Sequence, residues 1–401
     1  MSEKNDNKVP NVPNLRFDKS EAWNKEPLSK YAKKITSKNK TNSIENIICN
    51  SAQNGLIQQK DFFDRTIVNN ENTENYYVIE QGDFVYNPRK SVTAPYGPVN
   101  VYEYENLGIV SPLYLCFKVD GIDKKFLNYY FKSSAWYKYI YENGDSGARH
   151  DRVSIKDDVF LAQPIIVPSL TTQNKVASFL SKIDKRIETQ SKIIEDLELV
   201  KKGISNTVFG DKSVIKESWK TVKLSTILKE RKIYDVKDSV YPHATLSKEG
   251  ISAKTDRYNR DFLVKDEEKE YKITHLNDIC YNPANLKFGV ICLNTFGDAI
   301  FSPIYVTYEI DKKCDPYFIS LYLTNPTFIG HIRKYEQGTV YERMAVSSED
   351  FLKGEINLPT YEEQLKIAKT FKSIDEKIAI EQAILDKLKE QKKFLLSNMF
   401  I

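Results

Sequence analysis

The chain has 401 residues, room for two or three ordinary domains with real cores. Lysine plus arginine (59) barely exceed aspartate plus glutamate (55), and the formal charge of +4 excludes a general polycation. Any nucleic-acid contact must therefore gather basic groups on one face. Five cysteines without a CxxC pair and no apolar run near 20 residues exclude a disulfide framework and a membrane span, and point to a reduced cytoplasmic compartment.

In chain order, residues 1–14, rich in Asn, Lys and Pro, read as a mobile tail. A first globular unit, 15–168, opens with Leu15-Arg16-Phe17, Trp23 and Leu28. Gln81–Pro88 (QGDFVYNP) predicts a strand entering a loop, and SPLYLCFKV (111–119) a buried strand followed by one aromatic helix, FLNYYFKSSAWYKYIY. A short apolar strand ends in Pro168, and a long helix occupies 169–211. The second unit, 212–359, repeats each piece: Trp219, Leu224, LNDICYNP (276–283), SPIYVTYEI (302–310) and Pro359, with a second long helix over 360–401. The displacement drifts only from 196 to 191 residues, so one unit of about 195 residues is written twice.

The long helices carry the sharpest repeat. Gln173 to Phe209 matches Gln364 to Phe400 without a gap. Apolar residues recur four and three apart, the seam of a coiled coil: Val176, Leu180, Ile183, Ile187, Ile194, Leu197, Ile204 and Val208, then Ile367, Phe371, Ile374, Ile378, Leu385, Leu388, Leu395 and Met399. Polar Gln190 and Lys201 interrupt the first seam where Glu381 and Lys392 interrupt the second, a pattern that costs stability but fixes register. Neither seam can stay in water, so each helix covers the other. The expected fold is α/β (α+β), two globes joined by two long helices in an antiparallel coiled coil with a pseudo-twofold repeat.

Catalytic motifs are missing. No GxxxxGK[ST] phosphate loop is present. Asp315-Pro316-Tyr317-Phe318 resembles an adenine methyltransferase loop but lacks its second proline, and reads instead as a helix start with proline in the first turn. Asn87-Pro88 and Asn282-Pro283 fail likewise. The acidic run 266–270 reads as a solvated face, and His150, His243, His275 and His331 lack metal-ligand spacing. The chain reads as a binder. Two similar globes suit a target with two contact sites, such as duplex DNA, whose successive major grooves lie about 34 Å apart. A helix of ~38 residues would extend roughly 57 Å, enough to hold two globes at that distance.

The order Leu-Arg-Phe…Trp, globe, Pro…Gln173…Ala177…Leu180…Ile183-Asp184…Ile187…Phe209, written twice, resembles the specificity (S) subunit of type I restriction–modification systems over essentially the whole chain beyond the tail. The resemblance implies a non-catalytic DNA-binding subunit. Each globe would read one half of a bipartite, asymmetric double-stranded site, and the coiled coil would set the spacer. Two methyltransferase (M) subunits and translocase–nuclease (R) subunits would assemble on it. S-adenosylmethionine, ATP and Mg²⁺ would belong to those partners, with none bound by this chain, and adenine methylation requires the target base to leave the stack. The rival expectation is a coiled-coil protein–protein adaptor that binds no DNA.

Candidate DNA-binding residues are the polar loop positions at matched places, because Asn and Gln can grip adenine while Lys and Arg can grip guanine or phosphate. In the first globe they are Ser51, Gln53, Asn54, Gln58, Gln59, Lys60, Arg89, Lys90, Tyr96, Arg149, His150 and Arg152. In the second they are Ser247, Lys248, Ser252, Lys254, Asn285, Lys287, Tyr341 and Arg343.

Overall fold

The computed structural model describes residues 12–62, 73–145, 151–210, 219–236, 240–254, 270–338 and 344–401. It divides into two compact units, Met1–Ser191 with Ala383–Ile401, and Lys192–Gln382. Both long helices form, Leu170–Phe209 and Tyr361–Met399, and each contributes one half to each unit.

In the first unit Val176, Ala177, Leu180 and Ile183 pack with Leu395, Met399 and Phe400. In the second, Val208 and Phe209 pack with Ala368 and Phe371. The start of each helix thus lies against the end of the other, and the pairing is antiparallel. Every expected seam residue is buried or half-buried, as the four-three spacing requires.

The polar seam residues have definite partners. Lys392 pairs with Asp184 in the first unit and Lys201 with Asp375 in the second. The same aspartates accept hydrogen bonds from tyrosines of the globes: Tyr129 Oη donates to Asp184 Oδ2 at 2.7 Å, and Tyr317 Oη donates to Asp375. Burial, then the adjacent carboxylate, pushes both phenols well above their ordinary pKa, so they remain protonated donors.

The repeated glutamines form a second matched fastening. Gln173 Oε1 accepts from Asp123 N (2.8 Å) while its Nε2 donates to Pro168 O (2.9 Å). Gln364 does the same with Asp315 N (2.9 Å) and Pro359 O (3.1 Å). Asp123 and Asp315 also cap the following helices, Lys124–Lys132 and Pro316–Leu323, each accepting the third-residue N–H at 2.7 Å. Asp315-Pro316 is therefore a helix start, as expected of a proline in the first turn.

Each globe contains the same four-stranded antiparallel sheet. In the first unit the order is Ala32–Lys34, Leu115–Val119, Phe84–Tyr86, Val99–Val101; in the second it is Leu228–Glu230, Val306–Ile310, Ile279–Tyr281, Ile291–Leu293. On one face Tyr86 stacks on Phe160 (4.3 Å between centroids) and Tyr281 on Phe351 (4.7 Å), closing the main aromatic cores.

Three local expectations need correction. The segments 111–114 and 302–305 are turns rather than strand, with Tyr114 N donating to Ser111 O and Tyr305 N to Ser302 O. The single aromatic helix is two in each unit, Lys124–Lys132 with Tyr137–Asn143, and Pro316–Leu323 with Pro326–Ile332. Ser133 diverts the backbone in the first, and Asn325-Pro326 starts a new helix in the second. The last residues of the expected tail also pack on the first unit. Val12 packs on the first core, and Asn14 Nδ2 donates to Asn398 Oδ1 (3.2 Å).

Candidate nucleic-acid interface

A β-hairpin stands at the same place in each unit. In the first, Ile48–Ser51 pairs with Gly55–Gln58, and the turn Ala52-Gln53-Asn54 is pinned by Ser51 Oγ, which accepts from Gln53 N (3.3 Å) and Asn54 N (3.2 Å). In the second, Ala244–Ser247 pairs with Gly250–Ala253 around the shorter turn Lys248-Glu249. Gly55 and Gly250 both hold positive φ, +72° and +111°, which explains the matched glycines.

Each hairpin forms one wall of a cleft that also takes in the last sheet strand and the first capped helix. The first cleft, about 760 Å³, is lined by Gln53, Asn54, Asn100, Tyr104, Asn128 and Lys132, with Lys392 at its edge. The second, about 590 Å³, is lined by Lys248, Glu249, Lys287, Phe288, Ser320, Thr324 and Arg333. Counting from the cap aspartates, Asn128 corresponds to Ser320 and Lys132 to Thr324. These three walls recur while their side chains change; the remaining wall differs, with Lys392 and Leu396 of the C-terminal helix in the first cleft and Pro326, Ile329 and Arg333 in the second. Protein crowding around the Lys132 ammonium, then the neighbouring Lys392, lowers the Lys132 pKa.

The first hairpin is tied to its sheet by three asparagines. Asn50 Nδ2 donates to Val85 O (2.7 Å), Asn100 Nδ2 to Asn50 Oδ1 (2.7 Å), and Asn87 Nδ2 to Asn50 O (3.1 Å). These contacts hold Gln53 and Asn54, both exposed, on a stiff support.

A second group of candidates meets beyond the Tyr-Asn-Pro loop. Arg89 forms a backbone bridge to Arg152 and an exposed ion pair with Asp151 at 3.9 Å, and Lys90 N donates to Asp151 O (2.8 Å). Gly97 (φ +85°) closes the loop. A Cβ there would lie 2.1 Å from Asn87 O, so only glycine fits. Tyr96 packs on Tyr137, with centroids 5.0 Å apart. Arg152 is half-buried, with its Nε buried and without a hydrogen-bond partner.

In the second unit Lys248 and Lys287 are exposed beside each other's loops, while Ser247, Ser252, Lys254 and Asn285 are half-buried. In the first, Lys60 is exposed and Ser51 and Gln58 are half-buried. Gln59 is a correction: its side chain is only 5% exposed, so it belongs to the interior and not to a contact surface. Arg149, His150, Tyr341 and Arg343 lie outside the described residues. Sequence reasoning missed Asn100, Asn128 and Lys132, which come from a strand and a helix rather than a loop. Lys132 was open to discovery as the basic residue that follows the run Tyr129-Tyr130-Phe131 at the helix end.

Among the described residues no group of three His, Cys, Asp or Glu could hold a metal ion, and no helix is long and apolar enough to cross a membrane. Two matched clefts with variable polar linings define a binding protein with a duplicated recognition fold. The family model for the type I restriction modification DNA specificity domain matches twice, over 25–199 and 217–390, and the chain belongs to that family. It is a non-catalytic DNA sequence-recognition subunit of a type I restriction–modification system.

Among curated relatives, the chain is 22% identical over 294 residues to a putative type I restriction enzyme MjaX specificity subunit from Methanocaldococcus jannaschii, covering 70% of this chain and 67% of that protein. The fold matches the type I restriction–modification S subunit from M. genitalium, with TM-score 0.54, 14% identity, and 97% and 99% of the two chains covered. It also matches a chain from a structure on complex assembly and conformational transition of the type I R-M system, with TM-score 0.58, 13% identity, and 93% and 96% covered.

Proposed function

We propose that each cleft reads one half of a bipartite, asymmetric duplex site, that residues 15–168 and 212–359 are the two reading domains, and that the long helices set the spacer. The carrying observation is a cleft in both units between hairpin, last strand and first capped helix, with changed linings on those shared walls. Shared walls present the same surface to DNA, and different side chains ask for different bases.

In this reading Gln53, Asn54 and Lys60, with Arg89, Lys90 and Arg152, face the first half-site. Lys248, Lys254, Asn285 and Lys287 face the second. Two methyltransferase subunits dock along the long helices, whose outer faces keep exposed Ile193, Leu199, Val200, Ile380 and Ile384. Translocase–nuclease subunits join that assembly in the cytoplasm, and S-adenosylmethionine, ATP and Mg²⁺ are used by the partners.

The test is to express the chain with its methyltransferase partner and map methylated adenines across a genome. A split motif with a constant gap is expected. Gln53→Ala with Asn54→Ala should relax only the first half, and Lys248→Ala with Lys287→Ala should weaken or relax only the second. A continuous motif, or changes in both halves from either pair, would overturn the assignment.

A further inference from the structure

The loop after Tyr281-Asn282-Pro283 carries a residue that neither the core nor the sheet accounts for. Pro283–Phe288 is a 3₁₀ helix capped by Asn282, whose Oδ1 accepts from Ala284 N (3.1 Å). Gly289, with φ +80°, ends it, and its N–H donates to Leu286 O (2.8 Å). Val346 N donates to Pro283 O (3.3 Å), tying the turn to the globe. Leu286 is fully buried and anchors the turn from beneath. Phe288, two residues on, projects outward at 62% exposure.

This is an aromatic ring on a rigid mount, so fixing it in a complex costs little further entropy. Its surroundings are cationic. The Lys287 ammonium lies 5.1 Å from the ring centroid, and Lys248 and Arg333 line the same cleft. Glu249 is also present, and Arg333 pairs with Glu336 at 3.0 Å, so Lys248 and Lys287 are the cations best placed for phosphate. An apolar ring between cations matches a polyanion whose charged backbone flanks stacked, apolar bases. The equivalent loop of the first unit exposes Val92 completely, near Arg89 and Lys90. A valine has no π-face, and the loop's own ring, Tyr96, is half-buried against Tyr137, so that loop presents no exposed ring to a base.

We propose that Phe288 is a wedge that enters the base stack of the second half-site, with Lys248 and Lys287 holding the flanking phosphates. This rests on the DNA-reading function proposed above. The wedge adds a selection that hydrogen bonds do not supply. The step it opens should be a flexible pyrimidine–purine step, because that step unstacks most cheaply.

The experiment uses the complete methyltransferase complex and a duplex carrying its mapped site, with 2-aminopurine placed in turn at each position of both half-sites except the methylated adenines and their immediate neighbours, where base flipping alone would raise the signal. Wild-type complex should raise the fluorescence at one step of the second half-site and at none in the first. Phe288→Ala should abolish the rise and weaken binding roughly 10- to 100-fold, while Phe288→Trp should retain both. The side chain is exposed, so an unchanged thermal midpoint is expected to show that the variant folds.

Tight wild-type binding without a fluorescence change, or undiminished binding by Phe288→Ala, would overturn the wedge and leave the reading function standing. Weakened binding by Phe288→Ala with no unstacking in wild type would also overturn it, because the ring would then touch a base edge from the groove. Failure of the wild-type complex to bind duplex would instead overturn the reading function.

Discussion

The two units agree where they meet the long helices and part company in the layer beyond the sheet. Behind the first sheet lies an apolar cluster that includes Ile35, Ile79, Val85, Tyr102 and Cys116. At the corresponding positions the second unit has Arg231, Thr274, Cys280, Asn294 and Thr307. There Arg231 makes a bidentate contact with Asp278 (2.9 and 3.0 Å), and Asn294 Nδ2 reaches Thr274 Oγ1 (3.0 Å), His275 O and Gly297 O. The hairpin anchor reverses the pattern, with polar Asn50 in the first unit and buried Leu246 in the second. One backbone thus tolerates opposite chemistries, because Arg231, Asp278, Thr274 and Asn294 satisfy one another within that layer. The layer that varies carries the hairpins, which must differ if two half-sites are to differ.

The largest effects should fall on the shared layer and be equal in the two units. Leu180→Asp and Phe371→Asp occupy matched, fully buried seam positions. Each should cost about 5 kcal/mol or more by burying an unpaired charge, measured from chemical denaturation. A variant that tolerated one substitution but not the other would break the equivalence.

The next test sharpens the difference. Asp278 is 3% exposed in its side chain and Arg231 16%, so Asp278→Ala should leave a largely buried guanidinium with only the more exposed Glu309, 3.7 Å away, at a cost of about 3 kcal/mol. The counterpart Asp83 has Ile35 in the arginine's sequence position and accepts one hydrogen bond from Glu80 N (2.8 Å), so Asp83→Ala should cost about 1 kcal/mol. Equal losses would remove the distinction between the two layers.

Tyr129→Phe and Tyr317→Phe each remove one hydrogen bond to a carboxylate that keeps its lysine. Each should cost about 1.5 kcal/mol, read as matched small falls in thermal midpoint.

The smallest difference is in pH response. Burial opposes ionisation of Glu230, but the Ser348 hydroxyl and Lys272 outweigh it and leave its pKa below the ordinary 4.5. Its contribution is present above that value and lost as pH falls through the lowered one. Burial raises the Asp83 pKa above 3.8. Its contribution is full below the ordinary value and is lost as pH rises through the raised one. Acidification from neutral pH to below 4.5 and onward should therefore progressively loosen residues 228–230 and spare residues 83–86, judged by hydrogen exchange corrected for intrinsic rates.

Much of the scaffold was legible because the repeat states it twice. The coiled-coil seam follows from spacing alone, and every seam residue is covered. Helix breaks at Ser133 and Asn325 were missed because both lie in apolar runs whose periodicity continues across them. The role of Gln173 and Gln364 was hidden too: a glutamine repeated at one place signals a partner but cannot name Asp123 N or Asp315 N, which lie 50 and 49 residues away. The clefts were half legible. Turn residues such as Gln53 and Lys248 stand out locally, whereas Lys132 joins them only after the helix packs. Gln59 shows the opposite error, a polar residue in a polar stretch that the strand's end turns inward.

The fastening of globe to helices amounts to a plug and a socket. An incoming head needs a cap aspartate for the glutamine and a tyrosine for the Asp–Lys pair, and both come from one short helix with its cap. Recombination between related genes can therefore exchange whole heads without renegotiating the stem. A lineage of such proteins would acquire new target sequences in single steps rather than by gradual drift.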